Sequence, residues 1–374
     1  MKIIAKTLVG ALALTTALAA PLKADPTAEV LHYWTSGGEA QAVKALQEAF
    51  LARGGSWVDA PVAGGGGDAQ AAVLRARVLA GDPPAAVQIK GPNIQEWADA
   101  GALGDLSAVA EAQNWDDVLP AAIQDIVKYE GNYVAVPVNV HRVDWIWANP
   151  EVLAKVGATV PTTWDEFNET ADKLLAAGII PLAHGGQPWQ DATVFETVVL
   201  GIGGVDFYRK ALVELDMDAL GSDTMVAVFD QMRKMRGYVD PDFPGRDWNL
   251  ATAMVMRGEA AMQIMGDWAK GEFTAAGKVP GKDYICAPAP GTDGQFTFNI
   301  DSLAMFKVDG KEKQAAQKDL ARLILEPKFQ ETFNLNKGSI PTRLNMSRDK
   351  FDACAQSSMD AFLASSTTGN LVPS

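Results

Sequence analysis

The sequence contains 374 residues, of which 48% are apolar, and its formal net charge at pH 7 is -14. This length exceeds one ordinary domain and suffices for two domains, each with a hydrophobic core of its own. Strong acidity disfavours polyanionic partners, so nucleic acid and anionic membrane surfaces are not expected ligands. We therefore expect a globular protein with two domains.

The N-terminus has the features of a secretory signal peptide. Lys2 and Lys6 precede an uncharged apolar stretch over residues 8–20, and Ala24 provides a small residue for cleavage. The stretch is shorter than the roughly 20 residues that span a bilayer; an uncleaved anchor or a buried first helix is the alternative. Removal of residues 1–24 would also remove three lysines and make the net charge more negative. The mature protein is therefore expected in the periplasm.

Two cysteines, Cys286 and Cys354, occur in the chain, without a CxxC motif or a cluster of cysteine and histidine. Zinc sites need such clusters, so no metal and no other cofactor is expected. In an oxidising compartment the two residues can form one disulfide, and the alternative is a pair of buried free thiols.

The first part of the mature chain predicts alternating strands and helices. The elements are a strand at 30–35, a helix at 40–51, a strand at 57–62, a helix that follows the glycine loop 64–67 and ends at Leu79, and a strand at 85–89. Asp68 is the predicted cap of the second helix. This alternation predicts an α/β fold with a mostly parallel sheet.

The pattern changes in the middle of the chain. Residues 129–138 predict a hairpin that turns at Gly131–Asn132, and the chain is expected to cross between domains near there. The pair Thr163 and Glu166 forms a capping box at the start of a helix that ends at Gly178. Further strands are predicted at 143–148, 179–182, 260–265 and 302–306. A helix is predicted at 149–156, several more helices before the strand at 260–265, and further helices after the strand at 302–306.

Common catalytic signatures are missing from the sequence. There is no GxSxG, HExxH or GxGxxG motif, and the nearest match to a phosphate-binding loop, Gly277-Lys278, is followed by Val279, which cannot ligate magnesium. The three histidines, His32, His141 and His184, lack metal-type spacing. A structural role is expected for each of them, and His141 is slightly favoured for ligand contact because it follows the predicted crossing.

Ten tryptophans is a high number for this length. Burial in predicted helices and strands accounts for several of them, namely Trp97, Trp115, Trp145, Trp147 and Trp164. Four others lie where elements meet loops, the usual place of binding residues in α/β sheets, namely Trp34, Trp189, Trp248 and Trp268.

A pyranose ring has an apolar C–H face and a rim of hydroxyls, so its receptor needs an aromatic wall and polar groups around it. Polar candidates near the ends of predicted strands are Glu39, Gln88, Lys90 and Asp301, and Lys337 is a further donor. Charge-assisted hydrogen bonds to hydroxyls are about twice as strong as neutral ones. For any one of these residues, surface charge or helix capping is an equally good explanation.

Five segments carry a resemblance to a known family. They are Tyr33 to Glu39, Pro161 to Phe167, Met254 to Met262 with the following Gly266-Asp267-Trp268, Phe298 to Ser302, and Asn336 to Ser339. Together they resemble the extracellular solute-binding proteins of carbohydrate ABC importers, and among these a glucose-binding subgroup. The resemblance spans nearly the whole chain.

This resemblance implies a two-lobe periplasmic binding protein fold of type II, with a hinge and a ligand cleft between the lobes. Lobe 1 would comprise residues 25–138 and 299–340, and lobe 2 residues 139–298 and 341–374. The implied protein is a monomer without enzymatic activity or cofactor, and it delivers a monosaccharide, here glucose, to the membrane permease subunits of the importer.

The resemblance also implies a ligand-binding set. Trp34 and Trp268 would sandwich the sugar, and Trp248 would line the cleft. The hydroxyls would be bound by Glu39, Gln88, Lys90, Asp301 and Lys337. Members of the subgroup carry a further C-terminal segment with a histidine in the pocket, to which no residue here corresponds.

Three alternatives stay open at this point. The ligand can be another monosaccharide or an oligosaccharide in the same transport role. The protein can present a sugar to a chemotaxis or sensor protein. It can also be a glycoside hydrolase in which Glu39 and Asp301 are the pair of catalytic carboxylates.

Overall fold

The computed structural model describes residues 27–374, so the predicted signal peptide lies outside the described residues. The strands are β1 (Thr27–His32), β2 (Ser56–Pro61), β3 (Ala86–Lys90), β4 (Lys128–Tyr129), β5 (Asn132–Tyr133), β6 (Ala135–Pro137), β7 (His141–Arg142), β8 (Trp145–Ala148), β9 (Ile180–Leu182), β10 (Ala260–Ile264), β11 (Ile285–Pro288), β12 (Phe296–Asn299), β13 (Asp301–Met305) and β14 (Leu371–Pro373).

The helices in the same range are α1 (Gly37–Ala52), α2 (Asp68–Leu79), α3 (Pro92–Asp99), α4 (Ser107–Ala112), α5 (Trp115–Val118), α6 (Ala121–Val127), α7 (Pro150–Ala154), α8 (Trp164–Ala176), α9 (Pro188–Tyr208), α10 (Met217–Leu220), α11 (Asp223–Arg236), α12 (Trp248–Arg257), α13 (Ala269–Ala275), α14 (Lys311–Ile324), α15 (Pro327–Lys337) and α16 (Ala353–Thr368). A 3-10 turn at Gly65–Gly67 precedes α2, and a π-helical segment at Arg209–Val213 follows α9. No helix in residues 27–374 is both long and apolar enough to cross a membrane.

The first sheet has the strand order β2-β1-β3-β13-β6. Strand β1 is parallel to β2 and β3, as the alternation of strands and helices predicted. Strand β13 comes from much later in the chain and is antiparallel to both β3 and β6. Its register places Asp301 beside Lys90.

A second sheet has the order β11-β8-β10-β9 and is mixed, because β8 is antiparallel to both of its neighbours and β9 is parallel to β10. A small sheet, β14-β12-β7, lies where the chain passes between the two larger ones. Strand β6 belongs to the first sheet and β8 to the second, so the chain leaves one for the other between Pro137 and Trp145. The predicted residue boundaries of the two lobes stay a prediction.

Each large sheet has its own core. Val30, Val87 and Leu303 are buried around the first sheet, whereas Ile146 and Met262 are buried around the second. An aromatic cluster beside the second sheet contains Trp145, Trp147, Phe273 and Tyr284, and the rings of Phe273 and Tyr284 stack with centroids 4.1 Å apart. Burial thus accounts for Trp145 and Trp147, as expected.

The predicted disulfide is present between Cys286 and Cys354, whose Cα atoms are 6.0 Å apart. It joins strand β11 to the start of α16. The bridge therefore ties the C-terminal helix to the second sheet.

Several predicted boundaries differ locally from the structure. Strand β1 ends at His32, two residues before Trp34. Gly67, in the left-handed region at φ 111°, occupies the cap of α2, and Asp68 is its first residue. The turn between β4 and β5 lies at Glu130–Gly131, one residue earlier than predicted.

The capping pair of α8 is confirmed with one change of partner. Thr163 Oγ1 accepts from the backbone N–H of Glu166 at 3.2 Å. The Glu166 carboxylate accepts mainly from Thr162, whose backbone N–H and hydroxyl both lie at 2.8 Å.

Candidate functional site

A cavity of about 550 Å³ is lined by residues from the ends of β1, β3 and β13, from α9 and α12, and from the segment after β10. Its lining includes most of the predicted ligand set, namely Trp34, Glu39, Lys90, Trp248, Trp268, Asp301 and Lys337. Gln88 is not part of the lining. The structure therefore brings together residues that are up to 303 positions apart in the chain.

Sheet topology explains how the polar residues meet. Strands β1 and β3 are parallel, so their carboxyl ends lie at the same edge of the sheet and deliver Trp34 and Lys90 there. Strand β13 runs the other way and begins at that edge with Asp301. We call Glu39, Lys90, Asp301 and Lys337 the polar wall of the cavity.

Asp301 is the centre of the polar wall. Its Oδ1 accepts from Gln88 Nε2 at 3.1 Å, and its Oδ2 accepts from Trp34 Nε1 at 3.3 Å and from Asn139 Nδ2 at 3.2 Å. His141 Nε2 lies 3.0 Å from the same Oδ2. Three of these four groups lie on Oδ2 and one lies on Oδ1, so the protein itself holds Asp301 in place.

The charge state of Asp301 follows from these contacts. Burial would raise the pKa of Asp301, but the hydrogen bond and the charge of His141, together with the charges of Lys337 and Lys90, outweigh burial and hold that pKa well below its usual range. The carboxylate is therefore ionised at every pH at which the protein is expected to work.

Gln88 lies behind the polar wall. It is completely buried, its Oε1 accepts from the backbone N–H of Tyr33 at 3.1 Å, and its amide nitrogen donates to Asp301. This position allows Gln88 to orient Asp301, and the predicted direct contact of Gln88 with a ligand stays a prediction.

Glu39 and Lys337 form a buried ion pair. Glu39 Oε1 accepts from Lys337 Nζ at 3.0 Å, and Glu39 Oε2 accepts from the backbone N–H groups of Thr35 and Ser36 at 3.2 and 3.3 Å. Glu39 thus caps α1 and lines the cavity at the same time. An ammonium has three N–H groups, so Lys337 retains two for another partner.

The opposite side of the cavity is aromatic. Trp189, Trp248 and Trp268, which we call the aromatic wall, are half-buried. The rings of Trp189 and Trp268 lie 6.2 Å apart between centroids. Gly266 makes room for Trp268, because a Cβ at that position would lie 2.2 Å from the indole ring.

Trp34 was predicted to stack on the sugar from lobe 1. The structure places it at the cavity but only 2% exposed, with its indole N–H on Asp301 and its ring edge against Phe333 at 5.4 Å between centroids. The sandwich of a ligand between Trp34 and Trp268 stays a prediction.

The sequence reasoning missed two residues behind the cavity lining and one residue in it. Asn139 and Asp267 are completely or almost completely buried and hydrogen-bond to the residues of the site. Asn139 lies at the predicted crossing between the lobes, and Asp267 directly precedes Trp268. Their position beside these predicted features is the signal in the sequence by which they could have been found. Glu196 on α9 also lines the cavity, and burial raises the pKa of its carboxyl. No pattern in the sequence singled out Glu196.

A metal site finds no support in the part of the chain described. Residues 27–374 contain no group of three or more histidine, cysteine, aspartate or glutamate side chains that could hold a metal ion.

The two α/β sheets and the cavity between aromatic and polar walls define a two-lobe solute-binding protein. The chain matches the family described as bacterial extracellular solute-binding protein over residues 34–328. It therefore belongs to that family.

Individual similarities agree with this assignment. A Brucella melitensis protein named "Probable sugar-binding periplasmic protein" is 52% identical over 346 residues, which are 92% of this chain and 82% of the relative. The glucose-binding protein GlcS of Saccharolobus solfataricus is 24% identical over 77% of this chain and 56% of its own length. The structure of AcbH, a bacterial solute receptor with an exclusive preference for β-D-galactopyranose, has a TM-score of 0.76 at 19% identity and covers 93% of this chain and 87% of its own.

These similarities confirm the two-lobe fold class and the predicted periplasmic location. The family consists of binding proteins and not of enzymes, so the glycosidase alternative is not supported. The similarity to a glucose-binding protein is distant. Membership of a glucose-binding subgroup therefore stays a prediction.

Proposed function

We propose that this protein, which is the periplasmic sugar-binding component of an ABC transporter, binds a monosaccharide, with glucose as the first candidate. The observation that carries the proposal is the cavity itself, in which an aromatic wall faces a polar wall of two carboxylates and two ammonium groups. The 52% identical relative named for sugar binding supports the class of ligand. Glucose rests on the resemblance of the five sequence segments.

The two walls suit the two kinds of surface on a pyranose. Indole rings provide flat apolar area for the C–H face, and the polar wall provides charge-assisted hydrogen bonds to hydroxyls. The donors that line the cavity are the N–H groups of Lys337 and Lys90, of which Lys337 uses one for Glu39. We therefore expect the lysines to donate to the sugar oxygens, and Asp301 to accept a hydroxyl at Oδ1, which it shares with Gln88, because Oδ2 already faces Trp34, Asn139 and His141.

Transport requires that the importer distinguishes the loaded protein from the empty one. A sugar that contacts both walls binds the closed arrangement of the lobes more tightly than the open one, so it shifts the equilibrium toward the closed form. The permease subunits would then receive the closed, loaded protein.

The test is calorimetric titration of the mature protein with glucose, galactose, mannose and maltose. We expect micromolar or tighter binding of one monosaccharide, and loss of at least tenfold in affinity in Trp268→Ala. Trp57→Ala is the matched control, since Trp57 is a half-buried tryptophan on β2 outside the cavity lining.

Three outcomes would change the proposal. Binding of maltose with no monosaccharide bound would favour an oligosaccharide ligand. Equal losses in Trp268→Ala and Trp57→Ala would remove the cavity as the site. No heat with any of the four sugars would reject a hexose or a maltose-type ligand.

A further inference from the structure

His141 lies on β7, where the chain passes from the first sheet to the second, and it lines the cavity. Its ladder partner is Asn299, two residues before Asp301. The side chain is only 2% exposed. Its neighbours come from both walls of the cavity, Asp301 from the polar wall and Trp268 from the aromatic wall.

Each ring nitrogen of His141 faces a carboxylate. Nε2 lies 3.0 Å from Asp301 Oδ2, and Nδ1 contacts Asp267 Oδ1. A neutral imidazole has one N–H and one lone pair, so in that form one lone pair would point at a carboxylate oxygen. Only the imidazolium donates to both carboxylates.

One neighbour could favour the neutral ring. Asn139 Nδ2 is 3.1 Å from His141 Nε2 and could donate to a lone pair there. The same amide nitrogen lies 3.2 Å from Asp301 Oδ2, so it has an acceptor when Nε2 carries a proton. The imidazolium leaves every one of these polar groups with a partner.

Charged groups around His141 come from several elements. Asp301 is on β13, Asp267 follows β10, and Lys337 ends α15, where Glu39 neutralises it. Burial and the charge of Lys337 lower the pKa of His141, but the charge of Asp267 and the hydrogen bonds to both carboxylates outweigh them and raise it. The electrostatics thus agree with the geometry.

Asp267 links His141 to the aromatic wall. Its backbone N–H donates to Arg142 O at 2.9 Å, its Oδ2 accepts from Arg142 N at 3.0 Å, and the next residue is Trp268. The indole of Trp268 meets the His141 ring edge to face, with centroids 5.2 Å apart. A displacement of His141 would therefore disturb both Trp268 and Asp301.

We propose that His141 is a positioning residue for ligand binding, and that as an imidazolium it holds Asp301 of the polar wall and Asp267 beside the aromatic wall at a fixed separation. The proposal rests on the proposed function only for the identity of the ligand as a sugar. His141 lines the cavity, but both of its ring nitrogens face carboxylates, so the role assigned to it acts through Asp301 and Asp267.

The first test measures the charge of His141 without any sugar. Nitrogen NMR of the mature protein labelled in its three histidines, with assignment by His32→Gln, His141→Gln and His184→Gln, reports how many ring nitrogens carry protons. We expect both nitrogens of His141 to be protonated at pH 7, whereas His184 is neutral at the same pH. An unprotonated Nε2 in His141 at pH 7 would overturn the proposal.

The second test measures the positioning role. We expect His141→Gln and Asp267→Asn each to weaken sugar binding at least tenfold, and the double variant to lose little more than either single one, because both act through the same bridge. His184→Gln is the matched control and should bind as the wild type does, since His184 does not line the cavity.

The outcomes separate the two proposals. If the wild type binds no sugar, the proposed function fails while the nitrogen spectra still decide the charge of His141. Wild-type affinity in His141→Gln would show that the positioning role is wrong. If His141→Gln does not fold, Asp267→Asn supplies the same measurement, because it keeps both the imidazole and Asp301.

Discussion

The two walls of the cavity are built in different ways. Residues of the polar wall are mostly buried and hydrogen-bonded before any ligand arrives, with Asp301 3% and Lys337 2% exposed. Residues of the aromatic wall are half-buried and are placed by packing, as Trp268 is against Gly266. We therefore expect the polar wall to be the more rigid one and to select where sugar hydroxyls can lie, and the aromatic wall to contribute contact area.

The two walls also differ in the free energy that the removal of a side chain costs. Removal of one member of a buried charge network leaves its partners uncompensated, while removal of part of an aromatic wall costs mainly contact area. Changes behind the polar wall should therefore affect folding as much as binding.

The largest expected effect is on the stability of Asp301→Ala. The variant leaves His141 without one of its two carboxylates and leaves Gln88 and Asn139 without an acceptor. We expect the free energy of unfolding to fall by about 3–5 kcal/mol, measured by urea denaturation. Asp59→Ala is the control, because Asp59 pairs with His32 at 2.9 Å but is exposed, and it should cost less than about 1 kcal/mol. Equal losses in the two variants would remove the distinction between buried and exposed partners.

The second effect concerns the support of the aromatic wall. Cys354 is buried in the cluster that contains Trp145, Trp147 and Phe273 and that packs against Trp268, and it is bridged to Cys286. Replacement of both cysteines by serine should lower the free energy of unfolding by about 2–5 kcal/mol. Thermal unfolding with and without reductant checks this. A wild type that is insensitive to reductant and a double variant of unchanged stability would contradict it.

A smaller effect is expected when the aromatic wall is displaced directly. In Gly266→Ala the new methyl group would collide with the indole of Trp268. Overpacking of this kind costs about 1–3 kcal/mol, and we expect weaker sugar binding with the far-ultraviolet circular dichroism unchanged. Gly104→Ala is the control, because its nearest neighbour would be a carbonyl oxygen at an ordinary 3.5 Å. Unaltered affinity in Gly266→Ala would show that Trp268 can move without consequence.

The smallest effect is a difference in pH dependence between two buried histidines. His141 has a raised pKa, so the stability it contributes is present below its unfolded pKa of about 6.5 and is lost as the pH rises through the folded value. His184 lies in the loop before α9 and contacts one carboxylate among residues 27–374, that of the exposed Asp191, at 2.8 Å. Burial and nearby arginines lower its pKa, so protonation of the unfolded chain reduces stability below about pH 6.5.

This difference can be measured by urea denaturation between pH 5 and 8. His184→Gln should show a smaller loss of stability on acidification than the wild type, by at most about 1.4 kcal/mol per pH unit. A curve parallel to that of the wild type would mean that His184 keeps its ordinary pKa in the fold.

Much of the fold could be predicted from the sequence, because strands and helices follow local periodicity. The parallel arrangement of β1, β2 and β3 was expected from alternating elements, and the observed elements differ from the predicted ones at their ends. The mixed second sheet was not expected, since the direction of β8 and β10 depends on connections over more than 100 residues. Local patterns carry no information about such pairings.

By itself the sequence determined the class of the protein and predicted seven of the residues that line its cavity. The resemblance of its segments and the place of tryptophans and charged residues at element ends were sufficient for that. Tertiary structure alone decided their roles. The register of β13 against β3 brings Asp301 to Lys90, and the crossing strand brings His141 between Asp301 and Asp267. Whether a carboxylate contacts a ligand, caps a helix or holds a charge depends on neighbours that are distant in the chain, and only the folded protein brings them within hydrogen-bonding distance.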